Sequence, residues 1–125
     1  MQLGFFPDFK GRDSVLLEGT SKDVAFLSEQ LGEFVSSNLS QFPVHALANV
    51  SQQHPARLFA IRSAAASAPG FCWLCPPTEL SAIQGKLAAL AESKVGHQYF
   101  ALAGSNAQLV VSVGEYGEVW WQAHA

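Results

Sequence analysis

Apolar residues recur along this chain in two similar runs. Val24, Leu27, Leu31 and Phe34 stand at the three- and four-residue spacing of one helical stripe, and Leu80, Ile83, Leu87 and Leu90 repeat that stripe 56 residues later. Short apolar segments flank each stripe and read as strands: residues 15–19 before the first, 71–75 before the second, 42–48 and 56–63 after the first, 98–103 and 108–113 after the second. Leu16 and Leu17 match Cys72 and Trp73 at the same offset. Ala46-Leu47-Ala48 matches Ala101-Leu102-Ala103 at 55, and Leu58 matches Leu109 at 51, so the first copy carries a loop four residues longer. The pattern predicts a duplicated strand-helix-strand-strand unit, residues 14–62 and 70–113, within a single domain spanning residues 1–125.

Polar residues and turn formers mark the element ends. Thr20 with Asp23 three residues on is a helix-capping arrangement, and Ser36-Ser37-Asn38 stops the first helix. Pro76 and Pro77 open the second, which runs to about Ser93. Gly104-Ser105-Asn106 joins the last two strands of the second copy through residues that accept positive φ. Residues 49–55 form a polar loop and residues 63–69 an alanine-rich linker. Residues 1–13, with Phe5, Phe6 and Phe9 around Pro7-Asp8, are an edge strand or an arm. At the other end Gly114-Glu115-Tyr116-Gly117 turns the chain, residues 118–122 pair back as an edge strand, and His124 and Ala125 fray. Each copy's first strand reaches its second through a helix, a connection that is right-handed if the two strands are parallel. The expected fold is α+β: a mixed sheet of six or more strands with both helices on one face, a two-layer sandwich with approximate internal twofold symmetry.

Composition adds one point. Hydrophobic residues make up 49% of the 125 and charged residues 14%, well below the roughly 25% charge of ordinary soluble domains. Two modest helices cover one face of a sheet, so a second subunit or a partner is expected to cover more. The net charge of −3 and pI near 5.7 argue against a nucleic-acid binder and suit a basic partner. No signal peptide is expected, because Pro7 interrupts a start that lacks a cationic region, and no apolar run approaches the ~20 residues of a membrane span. A cytoplasmic protein with reduced thiols is the expectation, with no membrane and no nucleic-acid partner.

Candidate chemistry is sparse. Cys72-Trp73-Leu74-Cys75 has redox spacing, but the internal match puts Cys72 inside a strand, and two prolines separate Cys75 from the helical turn that would activate a thiolate. Packing cysteines are expected, and His45, His54, His97 and His124 show no ligand spacing, so neither metal nor cofactor is expected. No nucleophile elbow or phosphate-binding glycine loop is present, and Glu115 with Glu118 reads as a solvated hairpin end. Side chains alternate along a strand, so Trp120 and Trp121 should face opposite ways, as should Phe5 and Phe6. The expected partner-binding surface is Glu115, Tyr116, Glu118, Trp120 and Trp121, with one tryptophan in the core and the other at the contact.

The run Gly96-His97-Gln98-Tyr99-Phe100-Ala101-Leu102, followed by Gln108-Leu109-Val110-Val111-Ser112-Val113 and Glu115-Tyr116, resembles the closing hairpin of small immunity proteins of bacterial polymorphic-toxin systems. Residues 14–34 are similar to their opening strand and helix, while the Trp120-Trp121 tail and the low charge depart from the pattern. The resemblance implies a non-catalytic protein that occludes a toxin's active site. The other readings are a homodimeric module, and a small-molecule binder or enzyme with a pocket between sheet and helices, lined by His45 or His97 and a carboxylate.

Overall fold

The computed structural model describes residues 1–53 and 56–124. Eight strands and three helices follow one another as β1 (Gln2–Phe9), β2 (Arg12–Gly19), α1 (Ser21–Ser36), β3 (Gln41–Pro43), β4 (Ser51–Gln52), β5 (Leu58–Ile61), β6 (Phe71–Leu74), α2 (Leu80–Ala91), β7 (Gly96–Ala103), β8 (Gln108–Val113) and α3 (Glu118–Ala123). The strands form one mixed sheet in the order β3-β5-β6-β7-β8-β2-β1-β4. β2 runs parallel to β8, and β5 to β6; β1/β2, β3/β5, β6/β7 and β7/β8 are antiparallel. The fold is α+β, and its sheet curls into a half-barrel towards α1 and α2.

Both predicted stripes pack on the same face, all but the partly buried Leu80 being buried there. Val24, Leu27, Leu31 and Phe34 of α1 join Ile83, Leu87 and Leu90 of α2 in one cluster with Val15, Leu17, Leu109 and Val111 of the central strands. Burying each of these leucines contributes about 1.5–3 kcal/mol, far more than helix propensity offers over so few turns. The capping box forms as read: Thr20 Oγ1 accepts from the Asp23 amide at 3.2 Å, and Asp23 Oδ2 accepts from the Thr20 amide at 2.9 Å. Pro76 and Pro77 lead through a short 3-10 turn into α2. The opposite face carries two smaller clusters. α3 covers one, Phe6, Leu16, Val110 and Trp121; Ala66 and Ala68 of the 62–70 connection cover the other, Phe59, Ile61 and Cys72.

The structure corrects several expectations. Residues 118–122 are helical, because adjacent residues on a helix lie only about 100° apart, which lets Trp120 and Trp121 pack on the same cluster. Strand pairing would have turned one of them away. The strand expected over 42–48 ends at Pro43, and a 3-10 turn (Val44–Ala46) follows, pinned where His45 Nδ1 meets the Leu58 amide and carbonyl at 3.2 and 3.1 Å. α2 connects antiparallel neighbours, and β2 and β3 are not neighbours, so no parallel crossover runs through either helix. Residues 1–13 are a strand and hairpin, not an arm. His124 caps α3, its ring stacked on Trp120 at 4.2 Å, where fraying was expected. Ala125, and the His54-Pro55 end of the 49–55 loop, lie outside the described residues.

Candidate functional site: an aromatic surface beside a strand-end cleft

Phe6 and Phe9 are three residues apart and would face opposite ways in a regular strand. The β1/β2 register shifts between them: Phe6 lies opposite Ser14 and Phe9 opposite Arg12, so β1 carries one extra residue and both rings emerge on the face away from α1 and α2. The bulge takes Asp8 to φ +51°, an uncommon region for a residue with a side chain, and Asp13 Oδ1 accepts from the Asp8 amide at 2.9 Å. Lys10 and Gly11, both at positive φ, then close the hairpin as the mirror-image turn that matches strand twist.

Against these rings the 114–117 turn and α3 add Tyr116, Trp120 and Trp121. Trp120 is central: its ring lies 5.2 Å from Phe6, 6.0 Å from Phe9, 4.6 Å from Tyr116 and 5.4 Å from Trp121. Trp121 is buried at 1% exposure, whereas Trp120, Tyr116 and Phe9 are half-buried and Val119 beside them is 81% exposed. Lys10 Nζ stands 5.7 Å from the Phe9 ring and 5.6 Å from that of Tyr116. Its hydrogen bond with the Tyr116 hydroxyl holds its pKa above the ordinary lysine value.

A polar row crosses the same face at the other end of these strands: Gln2, Glu18, Ser112 and His97, each opposite the next across β1, β2, β8 and β7. Ser112 Oγ donates to Glu115 Oε1 at 2.7 Å, and His97 Nδ1 lies 2.9 Å from Glu115 Oε2. Burial pushes the Glu115 carboxyl up, but these two hydrogen bonds outweigh it and hold the group below the usual carboxylate range. The order serine-carboxylate-histidine is not that of a nucleophilic triad, in which histidine stands between the other two, and Ser112 is fully buried. Glu18 differs: burial dominates and raises its pKa, the Tyr116 amide, which donates to its Oε1 at 3.3 Å, offsetting this only in part.

Between this row, the start of α1 and the 114–117 turn lies a cleft of about 540 Å³, lined among others by Gln2, Glu18, Asp23, Lys94, Gly114 and Tyr116. It sits at the carboxyl ends of the parallel strands β2 and β8, where open sheets commonly bind ligands. Gly114 is required there: at φ +71°, a Cβ would stand 2.4 Å from the Lys94 carbonyl oxygen. Neither this cleft nor a smaller one of about 210 Å³ beside Trp73 and Phe100 is lined by His45 or His97.

Of the residues predicted at the contact surface, Tyr116, Trp120 and Trp121 come together, Trp121 as its buried base; Glu118 is exposed on α3, and Glu115 turns to Ser112 and His97. Phe9, Lys10, Gln2 and Glu18 were missed. Pro7-Asp8 between two phenylalanines was the available sign of the bulge. Cys72 and Cys75 are free thiols on opposite faces of the sheet, and burial pushes the Cys75 thiol up to about 12, far from a reactive thiolate. Among the described residues no group of three or more His, Cys, Asp or Glu side chains is placed to hold a metal ion, and no helix is long and apolar enough to cross a membrane. Comparison of the chain with protein-family profiles, with characterised proteins and with solved structures returned no match.

Proposed function

We propose that this chain is a non-catalytic binding protein, an immunity protein that neutralises a bacterial toxin by direct contact through the surface of Phe9, Lys10, Tyr116, Glu118, Val119 and Trp120. The observation that carries the reading is the half-buried Trp120, held by five neighbouring rings and continuous with the exposed Val119. A rigid tryptophan held at a surface loses little conformational freedom on binding and gives up much water, which is the anatomy of an interface anchor. Glu118 and the net charge of −3 favour a basic partner. The test is to co-express the chain with the toxin-like domain encoded by a neighbouring reading frame. Survival that Trp120→Ala abolishes, while lowering the melting temperature less than Trp121→Ala does, supports the reading; no protection by the unaltered chain overturns it.

The internal duplication belongs to the same proposal, residues 14–62 and 70–113 being two copies of one unit. Strand register supports it. β5 pairs in parallel with β6 as Leu58 with Phe71 through Ile61 with Leu74, and β8 with β2 as Leu109 with Val15 through Ser112 with Glu18. These are equivalent pairs at the offsets of 51 and 56 read from the sequence. The inter-helix hydrogen bond from Gln84 Nε2 to the Ser28 carbonyl, 3.1 Å, also joins two positions 56 apart. Superposing the two segments with Leu27 on Ile83 and Leu31 on Leu87 tests it; helices that fail to overlay would exclude a repeat.

A further inference from the structure

Glu18 is 7% exposed, and its Oε1 accepts from the Tyr116 amide at 3.3 Å, while Oε2 is shut from solvent and accepts no hydrogen bond among the described residues. Directly opposite on β1, Gln2 Oε1 is in the same condition. Both residues line the 540 Å³ cleft. Two buried acceptors on facing residues with no donor among the described residues are costly, about 1–3 kcal/mol each and more for a charged group, and a ligand that donates to them would relieve that cost. The parallel pair β5/β6 supplies the comparison: at the corresponding end of those strands Ile61 faces Leu74, an apolar pair where β2 and β8 place Glu18 and Ser112.

We propose that this cleft binds a small organic cation, an alkylammonium or guanidinium head, and that Glu18 and Gln2 turn their shut-off oxygens Oε2 and Oε1 into the cleft to accept its N–H groups. The inference does not rest on the partner reading above. The other charges around the cleft leave this role to Glu18. Asp23 already accepts from the Thr20 amide and from Asn49 Nδ2 at 3.0 Å and forms an ion pair with the amino group of Met1 at 3.8 Å, while that amino group donates to the Asn49 carbonyl. Lys94 is exposed at the rim. A cation at Glu18 would offset the burial that now raises its pKa, so ligand and carboxylate charge should strengthen each other.

The test is a ¹⁵N–¹H NMR titration of the full chain with methylguanidinium and with butylammonium, tetramethylammonium and acetate serving as controls. Saturable shifts of the Tyr116 and Gly117 amides with the two N–H donors, and none with the controls, are the expected result. Glu18→Gln keeps the shape and removes the charge, and should weaken binding about tenfold, the worth of one charge-assisted hydrogen bond. Equal shifts with tetramethylammonium, which has the charge but no N–H, would overturn the proposal, as would no saturable shift at all. If the variant fails to fold, the four-ligand comparison on the unaltered chain decides alone.

Discussion

Phe5 on β1 and Phe71 on β6 stack with ring centroids 5.2 Å apart and planes 25° from parallel, although β7, β8 and β2 lie between their strands. In a flat sheet four strand spacings would hold them about 19 Å apart. The stack therefore measures the curl, and it closes the helix-side core at one end. Phe71→Ala should destabilise by about 1–3 kcal/mol, less than a fully buried phenylalanine because the ring is half-exposed. A double-mutant cycle with Phe5→Ala should show coupling of about 0.5–1.5 kcal/mol, read from chemical denaturation. Strict additivity would mean the two rings do not support each other.

Leu87 is fully buried between α2 and the sheet. Leu87→Ala should cost about 2–5 kcal/mol, and Leu31→Ala, on the facing helix, a similar amount. Urea midpoints that hardly move would show that the helices are not seated on this core.

The two tryptophans should separate cleanly. Trp121→Ala empties the base of the aromatic cluster and should cost about 3–5 kcal/mol of stability. Trp120→Ala should lower the melting temperature less and weaken partner association about thirtyfold or more, the loss of one central anchor. Equal effects of both on melting, with association unchanged, would remove α3 from the contact surface.

Stability should depend on pH in opposite senses at two neighbouring carboxyls. The folded pKa of Glu18 is raised, so its favourable contribution is present below the unfolded value and is lost as pH rises through the folded one. That of Glu115 is lowered, so its contribution is present above the unfolded value and is lost as pH falls. Glu18→Gln should therefore melt higher than the unaltered chain at pH 7, the difference shrinking towards pH 4, while Glu115→Gln should melt lower at pH 7 and converge in acid. Melting curves over pH 3–8 check both, and a pH-independent difference in either variant would contradict the assignment.

Cys75 should resist alkylation in the folded protein at pH 8, since burial keeps its thiol protonated to about 12, and should react only on unfolding. Cys72→Ala with Cys75→Ser should lower stability modestly. Stoichiometric zinc, or a disulfide forming under mild oxidant, would show chemistry that the packing does not suggest.

Local information in the chain sufficed for α1 and α2, because stripe, cap and proline entrance act within a few residues: Leu27 and Leu31, Thr20 with Asp23, and Pro76-Pro77 all do what their spacing implies. Alternation likewise separated Phe5 from Phe6, which pack on opposite faces of the sheet. Alternation failed at Trp120-Trp121, since so short an aromatic segment takes whichever backbone lets it cover the exposed cluster around Phe6 and Leu16, and that cluster exists only once β1, β2 and β8 have paired. The bulge that brings Phe9 to Trp120 depends on register with Arg12, a relation between strands that one strand's sequence cannot express. The buried pair Gln2 and Glu18 was equally hidden. Each is an ordinary polar residue in its own strand, and only the tertiary pairing, which shuts out the water either would otherwise bind, turns them into unmet acceptors at the edge of a cleft.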